Sequence, residues 1–92
     1  MAADIATLQR LDALFHELIA HQRQKVLAEA RRRDPSLTDD DIEQPHDFAV
    51  LANDAAWQYE DGILAGYRAA HSAIRAELSG FPRFRQNASD TS

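Results

Sequence analysis

The chain is 92 residues long, carries a formal net charge of −5 and contains no cysteine. That length holds one domain, an acidic balance repels nucleic-acid phosphates and anionic membranes, and the missing thiols exclude disulfides and thiolate metal sites. The first residues include Asp4 and Arg10 with no continuous apolar run, and no stretch approaches the roughly 18 apolar residues of a membrane span, so a cytoplasmic protein is expected.

From Asp4 to about Arg33 no Gly or Pro interrupts a run rich in Ala, Leu, Gln, Glu and Arg, all good helix formers. Leu8, Leu11, Phe15, Leu18 and Val26 recur at helical intervals, which predicts an amphipathic helix over about 4–33 with Asp4 as its N-cap. Arg31-Arg32-Arg33 then falls in the last turn, where positive charge complements the helix dipole. Gln22, Lys25 and Glu29 interrupt the apolar face in its second half. The simplest expectation is that the helix leaves the core near the loop, with Gln22 and Glu29 solvated or paired with Arg33 or Lys25. Leu8, Leu11-Asp12, Leu18-Ile19 and Arg23 resemble the first helix of the helical chorismate mutases, which work as intertwined dimers. The arginine stands at a different spacing and the downstream basic residues that clamp a dicarboxylate are missing, so no activity is carried over.

Asp34-Pro35 marks a turn, because the residue before a proline is pushed out of the helical region. Thr38 followed by Asp39, Asp40 and Asp41 reads as a cap with a carboxylate three residues on, predicting one helical turn over Asp39 to Glu43 that Gln44-Pro45 closes. The aspartates lack the alternating ligands and central glycine of a calcium loop.

A second long helix is expected over about 47–79, capped by Asp47 or His46 and stopped by Gly80-Phe81-Pro82. Phe48, Ala52, Ala56, Tyr59, Ile63, Tyr67, Ala70 and Ile74 form its apolar stripe. Trp57, Leu64 and Leu78 lie on one shoulder, and Ala55, Gly62, Gly66 and Ala73 form a small-residue ridge on the other. Each glycine costs about 1 kcal/mol against alanine in a helix interior, so the pair is read as serving a close helix contact. Ala55, Gly62, Gly66 and Ala73, with Tyr59, Ile63 and Tyr67, are therefore the candidate helix-packing or dimer interface, within the chain or between chains. Residues 81–92 are expected to be a flexible tail beyond a single 1–80 domain.

The fold class implied is all-α: two antiparallel helices joined by a loop, pairing with a second copy as a homodimeric four-helix bundle. The functional expectation is an interaction or scaffolding module whose partner is itself or another protein, with no nucleic acid, membrane or cofactor. The alternative is a small enzyme or ligand-binding protein with a polar site at the loop-proximal end, built from Gln22, Glu29, His46, Asp47 and Glu60. No metal site is expected. His16 and His21 are five apart where a helical zinc motif needs four, Glu17 and His21 should face water, and neither Glu17 nor Glu60 begins a Glu-x-x-His pair.

Overall fold

The computed structural model describes residues 4–81, so the expected tail from 82 onward lies outside the described residues. The first helix, α1, spans Ile5–Arg33. The Asp4 carboxylate accepts the Thr7 N–H at 2.7 Å, satisfying one of the free donors of the first turn, and that bond holds the carboxyl below its usual range. All three arginines of the basic run lie in the last turn.

The connection is built from local polar bonds. Asp34 accepts from the Ser36 backbone and hydroxyl, and Thr38 and Asp41 bond reciprocally, each side chain accepting from the other's N–H. The Thr-Asp pairing read from the sequence is present, but the helical turn is shorter than the expected Asp39 to Glu43: a 3-10 turn at Asp41–Glu43, preceded by Asp40. A second 3-10 turn, Pro45–Asp47, leads into a single-turn helix, α2, at Ala49–Ala52. The final helix, α3, spans Ala55–Ser79.

The second helix thus begins eight residues later than the sequence suggested, and its cap is Asp54 rather than Asp47 or His46. Asp54 Oδ1 accepts the Trp57 N–H at 2.7 Å, while Asn53 Nδ2 donates back to the Ala49 carbonyl. Asn and Asp compete with helical hydrogen bonding through such local bonds, so this pair ends one helix and starts the next. The break turns α2 inward and buries Leu51 completely.

Helices α1 and α3 pack along each other, and no strand occurs among the described residues. The core is concentrated at the loop-proximal end, where Leu37, Ile42 and Leu51 of the connection close over Val26, Ala30, Trp57 and Leu64. Three covering segments converge there, which the two bare helices cannot match elsewhere. The Trp57 indole is buried and its N–H has no acceptor among the described residues; burial of the large ring offsets that cost.

The buried stripe of α3 is Trp57, Leu64, His71 and Leu78, at intervals of seven. It occupies what the sequence reading took as a shoulder, and Tyr59 of the expected stripe is 69% exposed. The ridge points away from α1: a Cβ added at Gly62 or Gly66 would meet nothing within 4 Å. Among the described residues no helix is long and apolar enough to cross a membrane.

Candidate functional site

The five loop-proximal candidates separate into three groups. Gln22 is buried, contrary to its expected solvation, because the core lies at its end of the hairpin. Its amide nitrogen donates to the Glu60 carbonyl at 2.9 Å and to the Glu60 carboxylate at 2.8 Å, joining the two helices. Glu29 accepts from Arg32 and Arg33 at 3.0 and 2.7 Å, and Arg33 also donates to Asp54 at 2.8 Å. The Arg33 bond, helped by the Trp57 N–H, holds the Asp54 carboxyl below its usual range, and the bonds to Asp54 and Glu29 raise Arg33. His46 and Asp47 are exposed in the second 3-10 turn and make no side-chain hydrogen bond among the described residues. Gln22, Glu29 and Glu60 therefore act within links between or along the helices, and His46 and Asp47 take no part in them.

A second network ties the connection to both helices. Arg23 lies 3.9 Å from Asp39 and 3.6 Å from Glu43, and Arg68 lies 3.2 Å from Glu43. These are exposed pairs, worth about 0–1 kcal/mol each, and their value is positional: they fix the connection on one side of the hairpin. Asp61 stands on that side, its carboxyl raised by burial and then by the nearby Glu43 charge.

The polar cluster with an open side lies farther along the hairpin. Asp12 and His16 stand four apart on α1 and so share a face, and His71 approaches them from α3. His71 Nε2 lies 2.7 Å from Asp12 Oδ1, and the His16 and His71 rings meet edge to face with centroids 4.6 Å apart. Phe15 stacks on the His71 ring at 6.4 Å and 9° and meets Tyr67 edge-on, so aromatic contacts fix the imidazole's plane. Arg75 brings a second positive group within 3.5 Å of Asp12. His71 is buried, Asp12 half-buried and His16 exposed. Beside them a groove of about 350 Å³ is lined by Gln9, Asp12, Arg75, Leu78 and Ser79.

One donor atom from each of Asp12, His16 and His71 can be chosen so that all lie within 4.8 Å of one another. Reading each helix separately misses this cluster, because Asp12 and His71 are 59 residues apart. Two signals were present: the Asp12–His16 interval, and the place of His71 in the seven-residue series of Trp57, Leu64 and Leu78. Glu17 and His21 are exposed, as expected.

Of the apolar candidates only Tyr67 reaches the cluster at Asp12, His16 and His71 among the described aromatic contacts, through Phe15. Tyr59, Ala55, Gly62, Gly66 and Ala73 are exposed, and Ile63 and Tyr67 half-buried. No protein family, no curated protein and no solved structure matches the chain.

Proposed function

We propose that the chain is a homodimeric interaction module in which two hairpins pair through a shared apolar side. The observation that carries this is the sidedness of the surface the hairpin leaves uncovered. The ion pairs of Arg23 and Arg68 with the connection mark one side of the two-helix plane. At about 100° per residue, Leu11, Leu14 and Leu18 of α1 fall on the opposite side, together with Ile63, Tyr67 and Ile74 of α3. None of these six is buried, and Leu14 is 47% exposed. Tyr59 and the open ridge of Ala55, Gly62, Gly66 and Ala73 continue this face around the back of α3.

Two helices of this length supply a face long enough for a specific protein–protein interface, which typically buries about 1,200–2,000 Å². Pairing would give Leu14 and Ile63 the neighbours that one hairpin cannot. It would also bring glycines against a partner helix, where the missing side chains permit a close approach. A small domain buries a smaller fraction of its surface than a large one, so dimerisation is an effective source of additional stability.

Sedimentation equilibrium over a hundredfold concentration range tests the proposal. The expected mass is that of two chains, with Ile63→Asp reverting to one chain while keeping its helical circular dichroism. A concentration-independent mass of one chain, with a sharp melting transition, overturns it.

A further inference from the structure

We infer that Asp12, His16 and His71 bind a divalent transition-metal ion of the zinc class, with an open coordination position facing the neighbouring groove. The donor set is one carboxylate and two imidazoles, which suits borderline ions; magnesium and calcium favour all-oxygen surroundings. Tetrahedral bonds of about 2.0–2.2 Å place ligand atoms roughly 3.3–3.6 Å apart. His71 and Asp12 are already closer than that, at 2.7 Å, and the three donors span at most 4.8 Å. Closing the remaining gap of about an ångström falls to His16, which is exposed and free to change rotamer.

The rest of the cluster is set in advance. Asp12 and His16 rise from successive turns of one helix, and His71 is held by its burial and by the Phe15 ring stacked on it. Inward-facing carboxylates and imidazoles on facing helices are the usual way a bundle builds a metal centre. The hydrogen bond to Asp12 needs a proton on His71 Nε2. For the ion to bind, that proton moves to Nδ1 or leaves to solvent, which frees the Nε2 lone pair, and the ion takes the proton's place between the two groups.

Arg75 opposes binding from its present place, since its guanidinium lies 3.5 Å from the same Asp12 oxygen. Its side chain is 61% exposed and can swing away. From the groove wall it then presents positive charge to a water or small anion in the fourth position. The cluster sits within one hairpin, on the side away from the apolar face, so its occupancy does not depend on dimerisation.

Titration calorimetry of tag-free protein with Zn²⁺ alone, and with Mg²⁺ for comparison, tests the site. The expected result is one Zn²⁺ per chain and no measurable Mg²⁺ binding. His16→Ala should weaken Zn²⁺ at least tenfold, and its exposure ensures that the variant folds. Asp12→Asn and His71→Asn should weaken it as much or more, whereas Arg75→Gln, by freeing Asp12, should tighten it several-fold. His21→Ala and His46→Ala, at exposed histidines outside the cluster, should leave it unchanged. Absence of Zn²⁺ binding, binding undiminished in His16→Ala, or equal loss in His21→Ala overturns the assignment. In that event the Asp12–His71 pair serves only to join the helices.

Discussion

Replacing Gly66 with leucine separates what the ridge does inside one chain from what it does between chains. Within the hairpin the new side chain enters open space, because no atom lies within 4 Å of where its Cβ would stand. Leucine is also a better helix former than glycine by about 0.8 kcal/mol, so the isolated hairpin should keep its helicity and become slightly more stable. At a close helix contact the same side chain overpacks the interface by about 1–3 kcal/mol. Two-fold symmetry introduces the change twice, giving roughly 2–6 kcal/mol, or a dissociation constant raised about 30-fold or more. Sedimentation velocity across a dilution series reads the dimer, and circular dichroism at the lowest concentration reads the hairpin. Dimerisation of unchanged affinity would place the ridge outside the interface. Loss of helicity at high dilution would contradict the open surroundings of Gly66.

Leu64 is 1% exposed at the centre of the loop-proximal core, so Leu64→Ala should cost about 2–5 kcal/mol in urea unfolding. Against the roughly 5–14 kcal/mol expected for a chain of this size, that is a large share, and an unchanged urea midpoint would refute the placement of the core. The Arg33–Asp54 pair makes stability depend on acid. The Asp54 carboxyl is held below its usual value, so its contribution is full above about pH 4 and disappears as the pH falls through the lowered folded-state value. Asp54→Asn keeps an N-cap for α3 but removes the charge. It should therefore be less stable than the parent at pH 7, with the difference shrinking toward pH 2. A difference that does not vary with pH would show that the ion pair contributes nothing. Asp61, raised by burial, acts in the opposite sense over mildly acidic pH, so the comparison is best made with Asp61→Asn in both backgrounds.

Sequence alone determined the features that depend on near neighbours. The extent of α1 and its Asp4 cap, the turn at Asp34-Pro35, the Thr38–Asp41 bonds and the end of α3 at Ser79 all rest on bonds between residues at most four apart. Asn53-Asp54 carried a readable capping signal, but the continuing apolar periodicity from Phe48 onward masked it.

Which face of α3 is buried was decided only by tertiary structure. Two adjacent stripes of that helix are apolar, and hydrophobicity alone does not rank them. Trp57 and Leu64 take the core because Val26, Ala30 and the residues of the connection, Leu37, Ile42 and Leu51, enclose their side of the helix. The same choice turns Tyr59 and the glycine ridge outward and carries His71 inward to Asp12. Local periodicity sets where helices form, whereas the cluster at Asp12, His16 and His71 depends on how two distant helices are rotated about their axes. That rotation is fixed by packing across the whole hairpin, and no single stretch of the chain contains it.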